Sequence, residues 1–563
     1  MDLAIISISL ALLPWFILQI KAILFWVYVW QLKDYHIGRF IAHFSTQKGK
    51  EILFNKIRFI KFLIFLIYVI AYQNDDLASF WIFFISLGVL SIYGLEFAYT
   101  IYQIIKKKII KPVFNIKTII LIFAAIVLLV VYLGASVYFL NQYNSGLYNV
   151  LFYTIPAFLL FFDVFSGIFF SLIVLMFQPL TVLYRNYYIS KAKKKIALYP
   201  EMAVVGITGS YGKSSTKEFL SEILSAKFKV FKTQKNQNSE MGISGHIINN
   251  LESGYDVFIC EMGAYHKGGI KLLADIVNPK IGILTGINQQ HLATFGSQEN
   301  IINTKFELIQ SLPENGIAIL NCDNQIIKNE INSQERLETI KAKTLVKCST
   351  KEKSDIWIEN SKIQNGKITF VVKTSDNDSA DFVLELIGGQ NIVENILLAI
   401  ACAKKMGMSL VEIAKACQNI KPDQSPTKVL RGINDIAVID STYSSNSDGI
   451  LAALDYLTLY EGKRVIVMPC IIELGNQAQI IHQQIGKKIG QVCDLAIITT
   501  KDYFNEIRDG AIEEGMAKDK ILFLEDGAQI FQKIKDNCGA DDVVLLESRV
   551  PQILTKMLLL VKE

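Results

Sequence analysis

The chain has 563 residues, 51% of them hydrophobic and 19% charged, with a formal net charge of +5 and a mean hydropathy of +0.34. That average is too apolar for a wholly soluble protein. The charge is also unevenly placed: residues 1–200 hold 18 Lys/Arg against 7 Asp/Glu, and the remainder 39 against 45. Small secreted domains, disordered chains and nucleic-acid binders with a globally basic surface are excluded. An apolar, basic first third followed by a mildly acidic soluble body is expected.

A membrane span needs ~20 mainly apolar residues. Five runs qualify as candidates: Ile5–Trp30, Ile57–Tyr72, Leu77–Ile105, Thr118–Leu140 and Leu151–Leu183. The first opens with Asp2 and is followed by more spans, so it does not read as a cleavable signal peptide. The stretch from Lys33 to Lys61, the group Lys106–Lys108 with Lys111 and Lys117, and the flank Arg185–Lys195 are basic. The connections near Asn74–Asp76 and Asn141–Asn149 carry no base. Basic loops stay cytoplasmic, so the pattern predicts an outside N-terminus and a cytoplasmic body. A hairpin at Pro156 would reverse this against the basic flank, which favours one tilted or kinked last span. Glu96 and Asp163 fall within spans, where carboxylates point to function, such as contact with a lipid headgroup, unless they sit at the interface.

From Glu201 onward, β-branched runs alternate with helical stretches, the pattern of α/β folds with a mainly parallel sheet. Strands are expected at Met202–Ile207, Tyr255–Cys260 and Lys280–Leu284, and a helix at Ser214–Ser225. A second α/β pattern runs through Ala437–Asp440, Arg464–Met468, Leu495–Thr499, Ile521–Leu524 and Val543–Leu546. Pro422 and Pro426 mark a boundary near Lys421–Thr427. The predicted organisation is a membrane domain over 1–195, a central domain over 196–425 and a C-terminal domain over 426–563. All eight cysteines lie in the body without C-x-x-C spacing. They read as buried apolar residues in a reducing compartment rather than a zinc site.

Chemistry enters with Gly206-Ile-Thr-Gly-Ser-Tyr-Gly-Lys-Ser-Ser-Thr216, set between a strand and a helix. Glycines let the backbone wrap a phosphate, and the N–H groups opening a helix favour an anion. Thr208, Gly209, Ser210, Gly212, Ser214 and Ser215 are therefore candidate ATP contacts. Lys213 would reach the β/γ-phosphates and Ser214 would bind Mg²⁺. The first glycine stands one position too early for the common G-x-x-x-x-G-K-[ST] spacing.

That variant loop resembles the Mur ligase family, especially its MurF branch. Further resemblances follow in order. They are Thr233 to Gly242, containing Asn236 and Asn238; Glu261-Met-Gly-Ala264; Thr285 to Ser297, containing His291; Lys305-Phe-Glu307; Gly389 to Asn395; Asp440-Ser-Thr-Tyr443-Ser-Ser-Asn446; and Ile472-Glu-Leu-Gly475. Lys235, Ser239, Gly286, Asn391 and Ile392 depart from the family pattern, and Leu545–Arg549 lacks its lysine and glycine. The resemblance implies a P-loop central domain, a Rossmann-like C-terminal domain and an ATP- and Mg²⁺-dependent ligase acting through an acyl phosphate. It further implies metal ligands at Ser214, Glu261, His291 and a carbamylated Lys305, and adenine contact at Asn395. Asp440 would hold the ribose and Arg431 would meet the nucleotide phosphates. Lys213, His291 and Lys305 would be catalytic, and Asn236, Asn238, Tyr443 and Asn446 would face substrate. The implied substrates are a muramyl-peptide cell-wall precursor and an amino acid or dipeptide such as D-alanyl-D-alanine. Five spans stand where the family has its UDP-sugar-binding domain. A cell-membrane protein is therefore expected, with its catalytic domains in the cytoplasm, a lipid-linked acceptor or wall-synthesis enzymes nearby, and no nucleic-acid partner.

Plainer readings stand beside these. His291 could cap a helix, Glu261 end a strand in solvent, Asn395 cap a helix, Asp440 end a strand and Arg431 be solvated. Another polymer, such as poly-γ-glutamate, would use the same ATP chemistry. From other classes, a non-catalytic ATP-binding scaffold would account for the substitutions. A transport ATPase would account for Leu386-Ile-Gly-Gly-Gln390, but not for the loop's glycine spacing or the odd number of spans.

Overall fold

Long apolar helices dominate the first part of the computed structural model. The structure describes the chain apart from residues 1, 34, 36, 45–46, 54, 72–77, 143–154, 235–236, 342, 365–366, 386–389, 421–427, 443–445 and 560–563. The expected substrate residues Asn236 and Tyr443 and the boundary at 421–427 thus lie outside the described residues. Two compact units emerge, Met1–Tyr184 and Arg185–Glu563.

The first unit contains α1 (Asp2–Leu32), α2 (Ile37–His43), α3 (Gln47–Leu53), α4 (Lys56–Ala71), α5 (Ala78–Ile105), α6 (Ile116–Gln142) and α7 (Ile155–Met176). Its core is aromatic: Trp15, Trp26, Trp30, Phe162 and Phe170 are buried with Leu121 and Leu129. Outward faces are apolar as well, with Leu95, Ile105, Ile116, Phe123 and Met176 exposed. This inverts the pattern of a soluble bundle. Four stretches are long and apolar enough to cross a membrane: Leu12–Leu32, Phe84–Ile105, Ile116–Ser136 and Ile155–Ile196. The second expected span is present as α4, which at 16 residues is shorter than these. The expected last span is two helices, because α7 ends at Met176 and α8 (Gln178–Ile196) begins beside Pro179, a residue suited to a helix's first turn.

Lys61 departs from its expected place in a cytoplasmic loop. It lies inside α4, buried, with Nζ 2.6 Å from Glu96 Oε2 and 2.5 Å from Asp163 Oδ2. The two carboxylates are therefore partners of one ammonium.

The division between units falls within α8. Its Ile189, Ala192 and Ile196 pack with Met202, Val204, Phe231 and Ile247 of the second unit, so the soluble body begins about ten residues earlier than the composition suggests. That body contains two sheets. The first has nine strands: β1 (Ala203–Thr208), β2 (Val230–Lys232), β3 (Val257–Glu261), β4 (Ile281–Leu284), β5 (Ile317–Asn321), β6 (Thr344–Ser349), β7 (Ile356–Gln364), β8 (Lys367–Thr374) and β9 (Ser379–Leu384). Their order is β2-β3-β1-β4-β5-β6-β7-β8-β9. Pairing is parallel as far as β7 and antiparallel through β8 and β9. β3, read Val-Phe-Ile-Cys-Glu, is buried throughout, as a strand covered on both faces requires. One face packs on α9 (Lys213–Ser225) and α10 (Gln390–Lys405) through Phe219, Leu220, Ile396 and Leu397. The other face meets Ile243, Ile270 and Phe306.

The second sheet holds β10 (Lys428–Arg431), β11 (Ala437–Ser441), β12 (Arg464–Met468), β13 (Leu495–Ile498), β14 (Ile521–Phe523) and β15 (Val543–Glu547). Its order is β10-β11-β15-β12-β13-β14, with only β10 antiparallel. The fold is the expected one: an α-helical domain with membrane-length helices, then two α/β domains. All eight cysteines are buried and free.

Candidate active site

The carboxyl ends of β1, β3 and β4 meet at the phosphate loop, where α/β sheets bind ligands. Thr208 ends β1, its hydroxyl donating to the Met262 carbonyl at 3.0 Å. Ser210 is tied across the loop: its N–H donates to Gly286 O at 2.7 Å, and its hydroxyl accepts from Asn288 N at 3.2 Å. Gly212 takes φ +78 as α9 begins, and a Cβ there would lie 2.2 Å from Asn395 Oδ1, so only glycine fits. Ser214 and Ser215 open α9 directly behind it.

Lys213 folds over the loop, its Nζ donating to Gly209 O at 2.8 Å and Ser210 O at 3.2 Å. Burial lowers its pKa, and the negative charge of Glu261 partly offsets that. The lysine thus caps loop carbonyls in the place where a phosphate would draw it.

Glu261 ends β3 and is buried. Its carboxylate accepts from Asn238 Nδ2 at 3.0 Å and faces Lys217 Nζ at 3.2 Å. Burial would raise its pKa, but Lys217, Lys213 and the Asn238 bond together take it below the ordinary value. Sequence reasoning missed Lys217; its place one turn after Lys213 on the same helix was the available signal.

His291 takes φ +65 before a short helix (Leu292–Phe295). Its Nδ1 meets Glu473 Oε2 at 2.6 Å, and Tyr265 lies edge-on at 4.8 Å. Burial lowers its pKa, outweighing the Glu473 bond, which favours the neutral ring that metal ligation requires. Lys305 is 4% exposed; burial, with the Lys213 charge, brings its pKa down to about 7. One cleft is lined by Gly209, Ser210, Lys213, Asn238, His291 and Lys305, among others. Glu261 is buried, unlike a solvated strand end; His291 stands at the N-cap position of the short helix but makes no side-chain cap bond, and it lines the cleft.

Other candidates fall differently. Asn395 is buried under the loop, against Gly212 and 3.4 Å from the Thr216 hydroxyl; it supports the loop directly. Asn446 caps the helix α11 (Ser447–Leu457), accepting from Gly449 N at 2.9 Å. It also lies 3.4 Å from Asn288 Nδ2, which donates to Asp448 Oδ2 at 2.9 Å. These contacts join the two ligase domains. Asp440 accepts from the backbone N–H and hydroxyl of Thr442 at the end of β11. Arg431 is exposed on the edge strand β10 and donates to the Asp435 carbonyl at 2.9 Å. Exposure on an edge strand leaves its charge to solvent and to its own turn.

Gly286, a departure from the family pattern, has a local reason. A Cβ there would stand 2.3 Å from the Tyr211 ring, whose hydroxyl accepts from Asn324 Nδ2 at 3.1 Å. The side chain absent at 286 is replaced by the tyrosine of the phosphate loop.

Among the described residues no three His, Cys, Asp or Glu side chains cluster as a metal cage. Mg²⁺ needs none, since it binds through one or two protein groups with phosphate oxygens and water completing the shell. Glu261 and Ser214 offer oxygen donors of that kind, and His291 adds an imidazole nitrogen.

Residues 207–403 match the Mur ligase middle domain and residues 427–549 the Mur ligase, glutamate ligase domain, together more than half of the chain. The UDP-N-acetylmuramoyl-tripeptide–D-alanyl-D-alanine ligase of Bacillus subtilis is 25% identical over 347 residues, 61% of this chain and 72% of that protein. Its Escherichia coli K12 counterpart is 30% identical over 284 residues, 50% of this chain and 61% of that protein. The chain therefore spans roughly two thirds of the length of these curated relatives. Among solved structures, MurF from Acinetobacter baumannii superposes with a TM-score of 0.58 at 22% identity, covering 66% of this chain and 78% of that one. MurF ligase from Thermotoga maritima in complex with ADP gives 0.56 at 24%, covering 66% and 83%. The fold, the phosphate loop and both matched domains agree: this chain belongs to the Mur ligase family, with an apolar helical region preceding its ligase domains.

Proposed function

We propose that the protein is a membrane-anchored, ATP-dependent ligase that joins an amine to a carboxylate, adding D-alanyl-D-alanine to a muramyl-tripeptide cell-wall precursor. One observation carries the reading. Lys213, folded over a phosphate loop, shares a single cleft with His291 and Lys305, and Glu261 ends the neighbouring strand.

In this chemistry a carboxylate oxygen attacks the γ-phosphorus, forming an acyl phosphate and releasing ADP. The amine nitrogen then attacks the acyl carbon; the tetrahedral adduct loses phosphate, and the nitrogen loses its proton, leaving an amide. Loop N–H groups and Lys213 stabilise the charge that develops on the transferred phosphoryl. Ser214, Glu261 and His291 would hold Mg²⁺, which when bound neutralises phosphate charge and orients the oxygens. A lysine with a pKa of about 7 is largely a neutral amine above that pH. Lys305 can therefore take up CO₂, forming an N–C bond and losing a proton, and a cation becomes a carboxylate-bearing metal ligand. Asn238 holds Glu261; Asn236, Tyr443 and Asp440 belong to the nucleotide and substrate side of this reading.

The four membrane-length helices, with α4 as the fifth span, and the basic flank at Arg185–Lys195 support a multi-pass cell-membrane protein with cytoplasmic ligase domains. We extend the reading to a lipid-linked acceptor, handed on to membrane-bound wall-synthesis enzymes. The test is phosphate release by the detergent-purified full chain, with ATP and Mg²⁺. Nucleotide-linked and lipid-linked muramyl tripeptides are each supplied with and without D-alanyl-D-alanine, and Lys213→Ala serves as the blank. Release requiring both substrates and lost in the variant supports the ligase. Preference for the soluble acceptor would sink the lipid-linked extension, and turnover only with glutamate would favour a poly-γ-glutamate ligase.

A further inference from the structure

The connection between α5 and α6 concentrates charge of one sign. Between Glu96 and Asp163 the chain has no acidic residue, yet Lys106, Lys107, Lys108, Lys111 and Lys117 fall close together there. The first four are exposed, and among the described residues none of the four has a carboxylate within ion-pair distance. Apolar side chains are interleaved with them, since Ile110, Phe114 and Ile116 are exposed as well. Water solvates the ammonium groups but not that apolar surface. A boundary that is anionic outside and hydrocarbon beneath answers both.

The backbone holds these lysines in place. α5 ends in a Schellman turn, where Lys108 N donates to Gln103 O at 2.9 Å and Lys107 N to Ile104 O at 3.0 Å. Lys107 takes the left-handed position of that turn, φ +52, where glycine is usual because a Cβ is strained there. A charge is thus kept at a place where the fold alone favours glycine. Beyond the turn, the Gln31 side chain of α1 grips Val113 twice, donating to its carbonyl at 2.9 Å and accepting from its N–H at 2.7 Å. Asn115 caps α6, accepting from Thr118 N at 2.9 Å, and Lys117 Nζ stands 3.6 Å from the Tyr35 ring centroid. The connection is pinned at both ends, between the ends of two membrane-length helices.

We propose that residues 106–116 form a docking surface for anionic phospholipid headgroups. The lysines meet lipid phosphates, while Ile110, Phe114 and Ile116 enter the boundary between headgroups and acyl chains. This rests on the membrane reading above and adds a lipid preference to it. Each lysine near an anionic leaflet contributes about fivefold in affinity, and salt weakens the attraction.

The test counts the lipids retained by the full chain, purified in neutral detergent, by native mass spectrometry after addition of phosphatidylglycerol or phosphatidylcholine. The parent protein should retain phosphatidylglycerol preferentially, and the preference should shrink between about 50 and about 500 mM salt. Lys107→Gly should cut it about fivefold with a thermal midpoint at or above the parent's, because glycine relieves the left-handed turn. Lys106→Gln, Lys107→Gln, Lys108→Gln and Lys111→Gln combined should abolish it, and the four corresponding Lys→Arg changes should preserve it. Equal retention of the two lipids by the parent, or the parent's preference in the quadruple glutamine variant, would overturn the proposal. A full chain that stays monodisperse without any detergent would instead sink the membrane reading on which the proposal stands, a readout separate from lipid preference.

Discussion

Replacing Lys61 with alanine should be among the most damaging single changes in the helical unit. Its ammonium joins α4 to Glu96 on α5 and Asp163 on α7, and lies 4.5 Å from the Tyr93 ring centroid. Tyr93 and Gln19 add weak bonds to the two Asp163 oxygens at 3.5 and 3.4 Å. Removing one partner of a buried ion pair costs about 3–5 kcal/mol, chiefly because the remaining charge is stranded. Here two carboxylates would be stranded, but they are 27% and 19% exposed, and water tempers the loss. We therefore expect about 3 kcal/mol, somewhat over a hundredfold in the folding equilibrium. Trp15, Trp26 and Trp30 lie in this core, so tryptophan emission during denaturant unfolding in micelles reports the right unit. Removing all three charges together, as Lys61→Met with Glu96→Gln and Asp163→Asn, should recover most of the loss, because no charge is left uncompensated. A loss below about 1 kcal/mol for Lys61→Ala, or a triple variant no better than the single, would refute the reasoning.

Three further outcomes are expected. Gly286→Asn should lower stability by about 1–3 kcal/mol through overpacking against Tyr211, and Tyr211→Ser in the same chain should restore the thermal midpoint. At constant CO₂ pressure, activity lost on CO₂ depletion should return faster at pH 8 than at pH 6, because Lys305 is a neutral nucleophile only above about 7; equal recovery would argue against carbamylation. Glu547 is 1% exposed and burial pushes its carboxyl up to about 8. The folded chain therefore binds a proton that the unfolded chain has released, and stability should fall as pH rises from the ordinary carboxyl range to about 8. Glu547→Gln should flatten that slope in thermal midpoints measured from pH 5 to 8.5.

The ligase domains were legible because buried parallel strands leave continuous apolar runs, and because the phosphate loop carries its chemistry in consecutive residues. Strands such as Val257–Glu261 and Arg464–Met468 fell within a residue or two of expectation. The antiparallel β8 and β9 were not anticipated, although Lys367–Thr374 alternates buried and less buried positions; attention to long apolar runs passes over such half-covered strands. Contacts between residues far apart in sequence were harder still. Glu473 and His291 are 182 positions apart, and nothing local to either announces the other.

Three buried lysines show how the same departure from sequence expectation leads to different chemistry. Lysine almost never goes fully inside unpaired, so each burial must be answered. Lys61 is answered by two carboxylates in the helical unit, and Lys217 by Glu261 and Glu218 under the phosphate loop. Lys305 has no carboxylate within ion-pair distance among the described residues, and its pKa falls instead. The first two lysines fix geometry: one ties helices together, and the other faces the carboxylate of Glu261. The third has its pKa brought down to about 7, and the neutral fraction of such an amine can act as a nucleophile. Position in the sequence does not separate these roles, since all three lie on helices. What separates them is the count of carboxylates that the fold brings within reach.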